Sequence, residues 1–102
     1  MIRLKVLTPT QTLVDESVIK VHAEGQEGAF CLLPRHRDWV AALAPGIVSF
    51  TTSNGQEQFV AVDQGVLTKR GAEVLIAARR AVREGDLAQL RQVVEMEFRH
   101  LD

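Results

Sequence analysis

Short runs of alternating polarity, broken by turn residues every eight to twelve positions, fill the first four-fifths of this 102-residue chain. Such a pattern restricts the fold to a β-sandwich or barrel, because period two exposes one face of each strand and buries the other. Arg3-Leu4-Lys5-Val6-Leu7 puts Leu4 and Val6 on one face, and Ser17–Ala23 reads as a second strand with a more buried middle. Thr8-Pro9-Thr10 separates the two. Gly46–Thr52 and Glu57–Val62 flank Asn54-Gly55, which predicts a hairpin with a type I′ turn. Gly65–Lys69 and Glu73–Ala78 are joined through Arg70-Gly71-Ala72 and predict a second hairpin of the same kind. The inward positions expected over residues 2–82 are Leu4, Val6, Val18, Val21, Phe30, Leu32, Val48, Phe50, Phe59, Val62, Leu67, Val74 and Ile76.

After Arg83 the period changes. Leu87, Leu90, Val94, Phe98 and Leu101 are spaced three, four, four and three apart, which gathers them into one stripe of a helix. Asp86 is the expected N-cap and Gln89 stands at the capping-box position. An isolated helix of roughly 16 residues is marginal in water, so the stripe must pack on the β domain, a second helix or a partner. The chain thus divides into a sandwich over residues 1–84 and a helical segment over 85–102.

Twelve basic residues oppose thirteen acidic ones, a formal net charge of -1, so no global field gathers nucleic acid or an anionic membrane. Partners must be found by shape. No apolar run approaches the ~20 residues that span a bilayer, and the N-terminal residues lack the pattern of a signal peptide, which places the chain in the cytoplasm. The single cysteine, Cys31, cannot form an internal disulfide and agrees with a reducing compartment.

Catalytic constellations are sparse. Cys31 and His36 would make a nucleophile pair only if they met in space, and Cys31 is better read as a small core residue within an apolar run. His22, His36 and His100 lack zinc-site spacing, Glu24, Glu27 and Asp38 read as loop charges, and Gly25 and Gly28 do not open a phosphate loop. No metal, cofactor or hydrolase activity is expected. Trp39 reads as a lid on the core rather than an exposed anchor. Lys69, Arg70, Arg79, Arg80 and Arg83 put five cations within fifteen residues without interleaved aromatics, which suits a solvated strand end or acidic protein neighbours better than nucleic acid.

One block is more specific. Gly25-Gln26-Glu27-Gly28-Ala29-Phe30-Cys31-Leu32-Leu33-Pro34-Arg35-His36 is followed by Leu43-Ala44-Pro45-Gly46 and later by Gly65-Val66-Leu67. In order and spacing these resemble the epsilon subunit of the rotary F-type ATP synthase. That family carries Gly-X-Glu-Gly-X-hydrophobic-Gly-Ile-hydrophobic-Pro-Gly-His, then Leu-X-Pro-Gly, then Gly-hydrophobic-Leu. The resemblance implies a flattened antiparallel β-sandwich followed by a C-terminal helix, acting as a non-catalytic rotor subunit. It would link gamma to the c-ring, couple ATP synthesis or hydrolysis to proton or sodium transport, and sit peripherally on the cytoplasmic face of the cell membrane. The interface residues it implies are Gly25, Glu27, Gly28, Phe30, Pro34, Arg35 and His36, with the Gly25–Phe30 loop toward the ring and Pro34–His36 toward gamma.

The departures from the family pattern are Ala29 for a second acidic residue, Cys31 for a glycine and Arg35 for the glycine before the histidine. They suggest a divergent branch, such as an alternate synthase found beside an ordinary one. The family closes with two antiparallel helices, and this chain has sequence for one, the first helix of an incomplete or truncated hairpin. Members that bind ATP carry hydrophobic-Asp-X-X-Arg-Ala. Leu87 and Arg91 fit, but Ala88 stands for the Asp, Gln92 for the Ala, and Met96 where a further arginine would fall. These departures argue against ATP sensing and against inhibition by an extending helical arm. The alternative reading is a stand-alone β-sandwich module that binds a small molecule or a protein.

Overall fold

The computed structural model describes residues 1–99; His100, Leu101 and Asp102, including the last position of the expected stripe, lie outside the described residues. Nine strands precede the helix: β1 (Ile2–Leu7), β2 (Thr12–Gly25), β3 (Gly28–Leu32), β4 (Trp39–Leu43), β5 (Gly46–Thr52), β6 (Glu57–Val62), β7 (Gly65–Arg70), β8 (Glu73–Ala78) and β9 (Ala81–Val82). Helix α1 (Leu87–Val93) runs directly into a π-helical segment, Val94–Phe98. The expected sandwich with one C-terminal helix is the fold of this chain. Strand β4 is the element that alternation leaves unassigned, because Trp39-Val40-Ala41-Ala42-Leu43 is apolar throughout.

Strand β2 belongs to both layers. Its first half pairs with β1, from Leu7↔Thr12 to Ile2↔Val18, and its second half lies between β5 and β3, with Val21 opposite both Phe50 and Leu32. The register shifts between Val18 and Lys20. That shift resolves a conflict of parity, since Val18 and Val21 are an odd number of residues apart and a regular strand would point them to opposite faces. Both are fully buried. One layer is therefore β9-β6-β5-β2-β3 and the other β2-β1-β8-β7-β4, with Gly25↔Leu43 joining β4 back to β2. Every pairing is antiparallel except β1 with β8, which is parallel and brings the first strand beside a late one.

Most expected core positions are buried between the layers, joined by Ile2, Val14, Ala23, Leu43, Val60 and Ala78. Two aromatics differ. Phe30 is half-buried at the rim of this core, and Phe59 points to the other side of its sheet. Residues 59 and 62 have opposite parity, so they cannot share a face of one regular strand; Val60 and Val62 take the core side. Phe59 and Ala61 instead meet the helix, where Leu90, Val94 and Phe98 are buried together with Ile47, Val82 and Val93. The apolar stripe thus finds its partner on the outer face of the sandwich. Each fully buried side chain of this size contributes about 1.5–3 kcal/mol, which a short helix lacks in isolation.

Turns and caps follow local chemistry, with corrections. The capping box forms: Asp86 Oδ1 accepts from the Gln89 amide at 2.8 Å, and Gln89 Oε1 accepts from the Asp86 amide at 2.8 Å. The Asn54-Gly55 turn is not type I′, because only Gly55 has positive φ (86°). The loop is Ser53-Asn54-Gly55, closed by Thr52 and Gln56, with the Gly55 amide donating to the Thr52 carbonyl at 2.9 Å. The Thr52 hydroxyl also bonds Asn54 Oδ1 and thereby holds the asparagine side chain within the turn. In the other hairpin Gly71 alone has positive φ (59°), at the first central position favoured in type II′ turns.

Gly65 is required by close approach. A Cβ there would lie 2.3 Å from the Ala77 carbonyl oxygen, and backbone cannot yield as a flexible side chain does. The same corner carries a buried charge. Asp63 is 1% exposed, and its Oδ2 accepts from Arg79 Nε (3.0 Å), Arg79 Nη2 (2.8 Å) and Arg80 Nε (3.1 Å), while Oδ1 accepts from the Gln64 amide at 2.7 Å. Burial alone would raise its pKa; the bonds from Arg79, the Gln64 amide and Arg80 outweigh it and hold the carboxyl below its ordinary range. Among the described residues no buried side-chain nitrogen or oxygen lacks a partner.

Two outcomes are expected. Gly65→Ala lowers stability by about 1–3 kcal/mol, as overpacking does, read from urea denaturation; an unchanged midpoint would refute the close-approach argument. Because the Asp63 pKa is lowered on folding, the unfolded chain binds the proton more tightly, and stability rises with pH across that window. The contribution is present above about pH 4, the unfolded value, and is lost as pH falls through the folded value. Thermal scans from pH 7 to 3 should show a steeper acid loss for the natural chain than for Asp63→Asn.

Candidate partner interface

The Gly25–His36 block forms a hairpin, an edge strand and a turn. Gly25 and Gly28 face each other across the two-residue loop Gln26-Glu27, and Gly28 has φ 131°, a conformation that favours glycine. Glu27 is exposed at the tip. The hairpin is tied to β4 by the Gln26 amide donating to the Ala42 carbonyl at 3.0 Å and the Ala44 amide donating to the Glu24 carbonyl at 3.2 Å. Strand β3 then runs away from the tip to Leu33-Pro34-Arg35-His36, a turn closed by the His36 amide on the Leu33 carbonyl at 3.0 Å. Five residues of strand separate tip from turn, about 17 Å at ~3.3 Å per residue. Six of the seven candidate residues therefore divide between two ends, with Phe30 on β3 between them. Gly25, Glu27 and Gly28 lie at one, and exposed Pro34 and Arg35 with half-buried His36 lie at the other.

Phe30 and Trp39 connect them. Their rings meet edge to face with centroids 4.6 Å apart and planes at 85°, and His36 tilts against Trp39 at 5.6 Å. Trp39 is half-buried on the core, as a lid. His36 Nδ1 lies 2.8 Å from the Arg37 carbonyl oxygen; a carbonyl only accepts, so Nδ1 carries the proton and donates. Asp38 Oδ1 accepts from the Gly71 amide at 2.8 Å and fixes the turn to the β7–β8 hairpin. The neighbouring turn is thereby held by backbone bonds and stacked rings rather than left as a free loop.

Cys31 is exposed, not a core residue. Phe30 and Leu32 take the inward phase of β3, and the alternation turns the thiol outward, opposite His22 on β2. His36 sits on Trp39, which packs against Phe30, so thiol and imidazole lie on opposite faces of the strand. The proposed nucleophile pair does not form. Among the described residues no group of three or more His, Cys, Asp or Glu is arranged to hold a metal ion.

The basic cluster also reads differently in three dimensions. Lys69 is 2% exposed and its Nζ donates to the Gly71 carbonyl at 2.6 Å. Arg79 and Arg80 are engaged by Asp63. Arg83 pairs with Glu16 at 2.6 Å, donates to the Leu13 carbonyl at 3.0 Å and lies over the Phe50 ring at 5.3 Å. Four of the five cations thus have partners inside the molecule: Lys69 finds its own within the β7–β8 turn, and strand pairing brings distant carboxylates to Arg79, Arg80 and Arg83.

Sequence reasoning missed the outward face of the second layer. Val40 is 65% exposed, Val66 46% and Leu75 38%. Ladder pairing gives two neighbouring rows on this face, Val40–Thr68–Leu75 and Ala42–Val66–Ala77, so the exposed apolar residues form one patch across β4, β7 and β8 with Thr68 as its polar member. The signal was present in Val66 and Leu75, both apolar in the outward phase of their strands. On the other side of the molecule, Arg91 and Arg99 line a groove between helix and sheet that Glu24 and Glu95 also line; Arg99 Nη2 lies 3.2 Å from Glu24 and Nη1 2.6 Å from Glu95. Ala88 is exposed on the helix. No helix among the described residues is long and apolar enough to cross a membrane.

Comparison with known proteins agrees with this geometry. Residues 1–84 match the beta-sandwich domain of the ATP synthase Delta/Epsilon chain. The chain is 32% identical over 96 residues to ATP synthase epsilon chain 2 of Paraburkholderia xenovorans, covering 92% of this chain and 69% of that one. It is 37% identical over 89 residues to ATP synthase epsilon chain 2 of Cereibacter sphaeroides, covering 85% of this chain and 61% of the relative. In fold it is similar to a chain of the Euglena gracilis mitochondrial ATP synthase, with a TM-score of 0.76 at 24% identity over 92% of this chain and 61% of that chain. A chain from the central stalk and c-ring structure of the Tetrahymena thermophila mitochondrial ATP synthase gives a TM-score of 0.62 at 13% identity, covering 78% of this chain and 63% of that chain. The family match over residues 1–84 agrees with the two-layer sandwich, and the chain belongs to the ATP synthase delta/epsilon family.

Proposed function

We propose that this chain is a non-catalytic central-stalk subunit of a rotary F-type ATP synthase. It links gamma to the c-ring and couples ATP synthesis or hydrolysis to proton or sodium transport from the cytoplasmic face of the cell membrane, where it is held through the complex. Residues 1–84 are the docking body, and the helix that follows within the described residues packs on it. The observation that carries the reading is the largely apolar patch of Val40, Ala42, Val66, Leu75 and Ala77 around Thr68 on the outer face of β4, β7 and β8, where β4 follows the Pro34–His36 turn. Single exposed apolar residues are ordinary, but a contiguous patch on a sheet face fits a protein partner of stable type. A net charge of -1 supplies no long-range attraction, so shape and apolar area must hold that partner.

In this arrangement the Glu27 tip meets the ring while Arg35, His36 and the apolar patch meet gamma, with the Pro34–His36 turn about 17 Å from the tip along β3. The rigid bonds of both turns suit a part that passes on position and torque. Both curated relatives are named epsilon chain 2, which supports service in an alternate synthase.

Arg35→Glu together with His36→Ala should weaken co-purification with the cognate gamma subunit at least tenfold while leaving the circular dichroism spectrum unchanged, because both side chains lie outside the core. No affinity of the natural chain for gamma at micromolar concentration would overturn the rotor reading in favour of a stand-alone binding module. ATP at millimolar concentration should leave the thermal midpoint unchanged. Ala88 supplies no carboxylate, and Glu24 and Glu95 bring negative charge to the groove beside Arg91. A ligand of the native state would have to raise that midpoint, and a rise of several degrees specific to ATP would refute the expectation.

A further inference from the structure

We infer that Arg80 is a latch that straps the helical segment to the sandwich through the buried carboxylate of Asp63. Its guanidinium lies between sandwich and helix, with Nε and Nη2 each 3.1 Å from Asp63 Oδ2. The same Nη2, which carries two hydrogens, also donates to the Glu97 carbonyl at 3.0 Å, and the group lies 5.0 Å above the Phe98 ring. The last carbonyls of a helix have no partner within it, so a side chain that caps one also anchors the end of the element. A planar fork can bond two groups at once, which a single ammonium cannot do as well. Asp63 fixes the fork in place, because it is buried and also bonded by Arg79 and the Gln64 amide.

The backbone is shaped to meet this latch. Leu90, Val94 and Phe98 recur every four residues, and at about 100° per residue such a stripe drifts by about 40° at each step of a straight α-helix. The wide π turn over Val94–Phe98, closed by the Arg99 amide on the Val94 carbonyl at 2.8 Å, takes up that drift. It keeps Phe98 on the sheet and beneath Arg80. A second tie lies on the far side, where Arg99 Nε donates to the Pro45 carbonyl at 3.2 Å and Nη2 meets Glu24. The segment is therefore a strap fastened near its C-terminal end. Its docking is a local equilibrium separate from the folding of the strands beneath it. This inference concerns the chain's own fold and stands whether or not gamma is its partner.

The test is amide hydrogen exchange on the full chain, comparing residues 90–98 with strands β1 and β5. In Arg80→Gln, exchange over 90–98 should quicken about tenfold or more while the strands keep their natural rates. Arg79→Gln is the control, since Arg79 bonds Asp63 without touching the helix; it should leave 90–98 no faster than the strands. Unchanged exchange over 90–98 in Arg80→Gln would overturn the latch. So would equal acceleration of the strands, or an equal effect of Arg79→Gln on the helix. Should Arg80→Gln fail to fold, Arg80→Lys keeps the charge but lacks the planar fork that meets Asp63 and Glu97 together, and the same criteria apply.

Discussion

The fold depends on how β2 crosses from one layer to the other. Fourteen residues of one strand must bury Val14 and Val18 against β1 and then Val21 and Ala23 against β5 and β3. No regular strand can do this, because Val18 and Val21 are out of phase. The shift between Val18 and Lys20 absorbs one residue, bends the strand and lets both halves present apolar side chains to the same interior. From that crossing follow the two layers, the closure of β4 on Gly25, and the parallel pair of β1 and β8 that seals the second layer. It also projects the Gly25–Gly28 hairpin as the continuation of a strand anchored in both layers.

Charge in this molecule is mostly spent inward. A run of cations that suggests an electrostatic surface in one dimension becomes a set of internal braces in three, with Asp63, Glu16 and backbone carbonyls as acceptors. Buried or half-buried pairs of this kind are held by several hydrogen bonds at once, and removing one partner strands the other. The outer surface left for recognition on the β4-β7-β8 side is apolar, while the hairpin tip and the far turn carry one exposed acid and one exposed base. That division suits a part that is clamped between two partners better than one that captures a diffusing ligand.

The helical segment shows how a short helix is kept. Local signals begin it through the Asp86–Gln89 box, and apolar burial under Leu90, Val94 and Phe98 supplies most of its stability. Its outward residues, among them Ala88, Gln92 and Glu95, are small or polar, with Met96 the large apolar exception at 74% exposure. Within the described residues the sandwich itself satisfies the stripe, so the helix needs no second helix to cover Leu90 or Val94.

What the sequence determined by itself was whatever depends on near neighbours. Alternation set the inward faces of β1, β5, β7 and β8, the spacing after Arg83 set the helix, and the Gly25–His36 block announced the family before any coordinates did. Other features needed the tertiary structure. Whether Cys31 or Phe30 faces the core rests on the phase that β2 imposes on β3. Phe59 turns to the outer face because a helix more than 25 residues later covers it. Asn54 leaves the type I′ geometry because the Thr52–Gln56 pair favours a three-residue loop. Arg80 and Arg83 find partners that strand pairing alone brings near. The dividing line is range: propensity and period act over a few residues, whereas burial and charge pairing are settled by segments far apart in the chain, whose closeness no local pattern encodes.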